Sequence, residues 1–214
     1  MSKDLKITNE WDKIFKLSDK VTHKKVTFHN RFGITLVGDL YEPKEQEGKL
    51  SAIAVCGPFG AVKEQASGLY AMTMAERGFV TLAFDPSFTG ESGGEPRFVN
   101  SPDINTDDFS SAVDYLSLKE NVNPDKIGII GICGWGGFAL NAAAQDPRIK
   151  ATVASTMYDM SRVTALGYND TTTEEQRYEN KKKLCAQRLE DYKNGTYEEK
   201  GDYLINVLMT LLYF

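Results

Sequence analysis

The chain has 214 residues, 41% of them hydrophobic and 26% charged, with a formal net charge of −5. That is ordinary soluble-protein material, enough for one large domain or one and a half small ones around a sizeable core. The acidic balance argues against nucleic acid or an anionic membrane as the main partner, since either selects a basic surface.

Three cysteines, Cys56, Cys133 and Cys185, form an odd number without metal-ligand spacing, which points to a reducing compartment. The first residues, MSKDLKITNEWDKIFK, are charged and amphipathic and lack the apolar core of a secretory signal. No apolar run reaches the roughly 18 residues that would cross a bilayer. A cytoplasmic protein is expected, with neither membrane nor nucleic acid among its partners.

In chain order, a helical arm is expected at Glu10–Lys16, then an alternating strand at Val26–Phe28. The turn Asn30-Arg31-Phe32-Gly33 and a second strand at Ile34–Tyr41 complete a hairpin signature. After the polar loop Lys44–Lys49 comes Ala52–Cys56, a wholly apolar strand of the kind buried on both faces of a parallel sheet. Helices at Gln65–Arg77, Asp107–Leu118 and Gly137–Ala144 then alternate with strands at Phe79–Phe84, Lys126–Ile130 and Ala151–Ala154. That alternation predicts an α/β fold: a mostly parallel sheet with helices on both faces.

The last third differs. Thr171–Asn194 is dense in Glu, Lys, Arg and Gln and reads as one or two exposed helices, closed by the turn signal Asn194-Gly195. The apolar stretch Leu204–Phe214 needs a surface to cover it. The expected division is a core over residues 1–160 and cap-like helices with an apolar tail over 161–214. A homo-oligomer, formed through an exposed sheet edge or that tail, is an expectation.

The most informative stretch is KIGIIGICGWGGFALNAAA, Lys126–Ala144. A β-branched run enters a glycine cluster and leaves as an alanine-rich helix, the context of a nucleophile elbow. Together with AVCGPFGAVKEQASGLYA, FDPSFTGESGGEPR and ATVASTMYDMSR, all in the expected order, it resembles the dienelactone-hydrolase-like branch of the α/β-hydrolase superfamily. The resemblance spans roughly residues 20–195. It implies an eight-stranded, mostly parallel sheet, a small ester or carboxylate as ligand, and the chain order nucleophile, acid, histidine. Members continue through two further strands bearing the acid and the histidine, so the fold is expected to be incomplete at the C-terminus, as in a truncated or frameshifted chain.

Two registers compete at the turn. With Cys133 at its apex, Gly131 lies two before it, but Trp135 lies two after, where its indole should clash with the close helix–strand contact. With Trp135 at the apex, Cys133 and Gly137 are both small, and branch members commonly carry serine at the Trp135 position. Sterics and the resemblance favour Trp135, whose side chain would then fill the site and cannot attack a carbonyl. Cys133 remains as a thiol nucleophile or a small buried hydrophobe.

Oxyanion donors are expected from Phe59 in the loop Gly57-Pro58-Phe59-Gly60, and from Gly134 or Gly136 according to register. Asp85 reads as structural, and Asp159 as an acid displaced to an earlier strand or as a cap. Lys63 and Glu64 read as a solvated helix edge, and His23 and His29 as surface residues of the hairpin. No cofactor is expected: GICGWGG lacks the acidic partner about 20 residues on that a dinucleotide fingerprint requires. Two functions stay open, a carboxylic-ester or lactone hydrolase of low activity, and a catalytically inactive hydrolase remnant or binding module.

Overall fold

The central strands β3 (Leu50–Cys56) and β4 (Val80–Phe84) are almost entirely buried, which is why they read as unbroken apolar runs rather than alternating ones. The structure, a computed structural model, describes residues 5–8 and 10–197. Its six strands are β1 (Val21–His29), β2 (Thr35–Pro43), β3, β4, β5 (Val122–Ile132) and β6 (Ile149–Ser155), in the spatial order β1-β2-β4-β3-β5-β6. β2 pairs antiparallel with β1 and β4, while β3 pairs parallel with β4 and β5, and β5 with β6. In the hairpin turn, Asn30 Oδ1 accepts the N–H groups of Phe32 and Ile34, and Gly33 takes a φ of +75°.

Helices cover both faces. β3 deals its side chains alternately: Ile53 and Val55 pack with Ala71, Met72 and Ala75 of α1 (Ala66–Ala75). Ala52, Ala54 and Cys56 join Phe109 of α2 (Pro102–Ser117) and Trp135 and Phe138 of α3 (Trp135–Gln145). α2 starts at Pro102 rather than Asp107, because proline suits the first helical position, where no N–H is needed. β6 is an edge strand among the described residues, and its Val153 is half-exposed.

The expected helical arm at Glu10–Lys16 does not form. Seven residues cannot hold a helix without tertiary support, and here the tertiary contacts favour an irregular path. Lys13 is buried against Asp39, the Ile14 N–H donates to Glu64 O, and the Trp11 indole N–H donates to Phe15 O.

The chain divides into two units, Met1–Met160 with the sheet and Ser161–Phe214. α4 (Met160–Leu166) starts at the boundary and is followed by a single 3₁₀ turn at Tyr168–Asp170. α5 (Glu174–Asn194) is one helix, opened by a Thr173/Gln176 capping box, closed by left-handed Gly195, and without a buried residue. The apolar segment Leu204–Phe214 lies outside the described residues. No helix among the described residues is long and apolar enough to cross a membrane.

Candidate active site

β5 ends at Ile132 and α3 begins at Trp135, so two residues must reverse the chain. Cys133 does so in the left-handed region, with φ +59°. A non-glycine residue there is strained, a feature concentrated at functional turns. Its N–H is anchored on Ser155 O of β6 at 2.8 Å. Gly131 lets strand and helix close: a Cβ on it would collide with the Trp135 carbonyl and come within 2.8 Å of Ala139 Cβ.

This geometry corrects the register favoured from sequence. The apex is Cys133, and Trp135 is the first residue of α3. The Trp135 side chain is 3% exposed and packs in the core, with ring centroids 5.0 Å from Phe138, 6.0 Å from Phe59 and 6.1 Å from Phe109. It does not fill the site. The anticipated clash is relieved from outside the motif: at Gly57 (φ +106°) a Cβ would sit 2.9 Å from Trp135 Cβ. A glycine in the β3–α1 loop therefore makes the room that position 135 lacks.

The same loop carries Phe59 onto the turn, where a Cβ on Gly134 would overlap the Phe59 ring. The N–H groups of Phe59 and Gly134 make no hydrogen bond among the described residues. The Gly136 N–H is spent on Cys133 O at 3.0 Å, which removes Gly136 from the oxyanion candidates. The Gly134 amide, next to a half-buried thiol at a helix N-terminus, and the Phe59 amide, on the loop whose ring covers Gly134, are thus both unspent.

Residues 33–201 match the model of the X-Pro dipeptidyl-peptidase (S15) family. The chain belongs to that family. It is 66% identical over 193 residues to the uncharacterized protein PA2218 of Pseudomonas aeruginosa, covering 90% of this chain and 52% of that one. The crystal structure of PA2218 superposes with a TM-score of 0.88 at 65% identity, covering 91% of this chain and 61% of that one. More distant are the thiohydrolase aneE of Aspergillus aculeatus, 31% identical over 64% of this chain and 42% of its own, and the polyketide transferase claH of Penicillium crustosum, 32% identical over 62% and 43%. The α/β hydrolase GrgF from Penicillium sp. sh18 shares the fold, with a TM-score of 0.70 at 23% identity, over 90% of this chain and 66% of that one. The chain spans about half the length of the curated relatives it matches.

The structure places the remaining candidates of this S15-family chain as follows. Asp159 is exposed and immediately precedes α4. Both histidines are in β1, four strand spacings from β5, roughly 19 Å across the sheet. His23 is no free surface residue: its Nε2 lies 2.7 Å from Oδ1 of fully buried Asp39. Asp39 Oδ2 forms an ion pair with Lys13 at 3.1 Å, at an angle unsuited to a hydrogen bond. Burial raises the Asp39 pKa, but His23 and Lys13 outweigh it and hold the carboxyl below its ordinary value.

The sequence reading of Lys63 and Glu64 as a solvated edge is overturned as well. The Lys63 side chain is fully buried, its Nζ 2.8 Å from Asp85 Oδ2 and 2.7 Å from Glu91 Oε2, with Glu64 as a third partner. Asp85 also accepts the backbone N–H groups of Lys63 and Glu91. Glu64, Asp85 and Glu91 lie close enough together to suggest a cation site, but the Lys63 ammonium already lies among them. Burial pulls the Lys63 pKa down, yet Asp85 and its neighbours hold it above the ordinary lysine value.

A polar cleft of about 920 Å³ opens beside the C-terminal half of α3, lined by His29, Arg31, Asp107, Asp146 and Arg148 among others. Its arginines are ion-paired to Asp107, Asp114 and Asp146. Cys133 is at the opposite end of that helix. Sequence reasoning missed Gly57 as the residue that accommodates Trp135 and Ser155 as the anchor of the turn. The Gly-Pro pair after β3 was the available signal for the first, and a carbonyl anchor leaves none.

Proposed function

We propose that Cys133 is the nucleophile of an acyl hydrolase or acyl transferase acting on a carboxylic ester or thioester. The single observation that carries this is the left-handed Cys133 at the β5–α3 turn, with the Gly134 amide following it. The thiolate attacks the carbonyl carbon, and the displaced electron pair moves onto the oxygen, held by the Phe59 and Gly134 N–H groups. Collapse of that intermediate expels the alcohol or thiol and leaves an acyl group on Sγ. Water or another acceptor then takes the acyl group. The names thiohydrolase and polyketide transferase, given to relatives 31% and 32% identical, support acyl chemistry at this site.

Neither histidine reaches the turn, so within this chain no imidazole assists the attack. Release of the acyl group has no such help either. A second reading rests on that observation: a pocket that binds a carboxylate on the same two amides without turnover. The two separate in one experiment. With p-nitrophenyl acetate, the first expects a burst of about one equivalent of nitrophenol, followed by slow turnover. The burst and the acetyl adduct should vanish in Cys133→Ala, as read by intact mass and peptide mapping. Release at background level, unchanged by Cys133→Ala, would sink the catalytic reading.

A further inference from the structure

An ester or thioester held at Cys133 must rest its acyl portion on whatever flanks the turn, and the flanking side chains come from three separate segments. On Gly134, immediately after Cys133, lie the Phe59 ring and Met160, whose Cγ is 3.1 Å from where a Cβ on Gly134 would be. Against Gly136 lies Met157, with its Cγ 2.9 Å from the corresponding position. The carbonyl that anchors the Cys133 N–H belongs to Ser155, whose hydroxyl is 3.5 Å from Tyr70 Oη of α1. None of these five side chains is charged.

Met157 and Tyr70 are about half exposed, at 44% and 42%. Large apolar side chains left in solvent beside a reactive turn are unspent binding area. Methionine is flexible and polarisable, and suits a surface that must fit a chain of variable shape. Many charged groups of this unit are gathered in the Lys63 and Asp39 clusters and in the polar cleft, while Asp159, exposed between Met157 and Met160 in sequence, sets a carboxylate close to this surface.

We infer that Phe59, Tyr70, Met157 and Met160 form the acyl-binding surface of the Cys133 site and select an extended aliphatic or aromatic acyl group over a short or charged one. This assignment rests on the acyl-transfer reading above. Its test separates the two, because disulfide exchange with an alkyl methanethiosulfonate needs the thiol and its surroundings but no oxyanion donor and no acyl chemistry.

Methyl and octyl methanethiosulfonates are compared by the rate at which each modifies Cys133. Cys185, exposed on α5, serves as the reference thiol in the same molecule. The octyl-to-methyl ratio at Cys133 is expected to exceed that at Cys185 by about tenfold, since several methylenes leave water. Met157→Glu, at a position too exposed to threaten folding, should bring the two ratios within about threefold, while Met157→Leu should keep the preference. Equal ratios at both cysteines, or a preference untouched by Met157→Glu, overturn the acyl surface even if the nitrophenol burst is seen. Absence of the Cys133-dependent burst overturns the acyl-transfer reading and with it this assignment, whatever the ratios.

Discussion

Two regions of the sheet-bearing unit divide its chemistry in opposite ways. Around Lys63, Asp85, Glu91, Lys13 and Asp39, ionisable side chains are buried in number, and every cation meets a carboxylate. Around Cys133 the nearest atoms to Gly134 and Gly136 belong to Phe59, Met160, Met157 and Ala154, with two unspent amides beside them. Perturbed ionisation is a common pointer to active sites, and here it points away from the site proposed at Cys133. The charged region is closed on itself and holds the N-terminal arm to the sheet, whereas the Cys133 region leaves donors and apolar area open. The proposed chemistry at Cys133 uses the unspent groups rather than the charges.

The sharpest way to break that comparison is Lys63→Met. If the charged region is a structural clamp, removing its central cation leaves Asp85, Glu64 and Glu91 facing one another in a dry site. Breaking a buried pair from one side costs about 3–5 kcal/mol, and the denaturant midpoint should fall accordingly. Cys133 acylation, measured on the folded fraction, should be unchanged. A Lys63→Met protein of full stability but without the nitrophenol burst would assign the cluster to catalysis and reverse the comparison.

Much of the fold was legible because its signals are local and repeated. The apolar runs of β3 and β4, the hairpin glycine and the alternation of strands with helices all lie in the sequence itself. The site was half legible. The strand–glycine–helix unit marked the turn, but its register depended on Gly57, 76 to 78 residues away from the apex and Trp135 in sequence. A steric argument confined to Gly131–Gly137 could not see it. Lys63 and Glu64 looked solvated for a related reason: their partners, Asp85 and Glu91, follow a different strand, and nothing in a one-dimensional pattern pairs them.

A milder perturbation of the charged region is acid. Asp39 and Glu91 have folded-state pKa values below their ordinary 3.8 and 4.5, burial being outweighed by His23 and Lys13 in one case and by Lys25 and Lys63 in the other. Depressed carboxylates contribute stability that is present above their ordinary pKa and disappears as pH falls through the lower folded value. Asp108 and Glu64 run the other way: burial raises both, so acid relieves a cost and partly offsets the loss. Net stability should therefore decline below about pH 4.5, with the N-terminal arm loosening first. Hydrogen exchange at Ile14, whose N–H is bound to Glu64 O, reads that step. Protection at Ile14 that persists as global stability falls would remove the clamp from the arm.

The smallest expected effect tests the other region. A left-handed residue with a Cβ costs roughly 1–2 kcal/mol, while glycine adopts that conformation freely. In an ordinary helix or strand, alanine is more stable than glycine by about 0.5–1 kcal/mol. At position 133 the order should invert, with Cys133→Gly more stable than Cys133→Ala by about 1 kcal/mol once the flexibility of unfolded glycine is set against the strain relieved. Both variants lose the thiol, so its packing cancels in the comparison. Both should also lack the acyl adduct. Chemical denaturation of the pair resolves a difference of this size. If Cys133→Ala proved the more stable, the turn would not hold a left-handed residue at 133 in solution, and the case for Cys133 over Trp135 at the apex would fall with it.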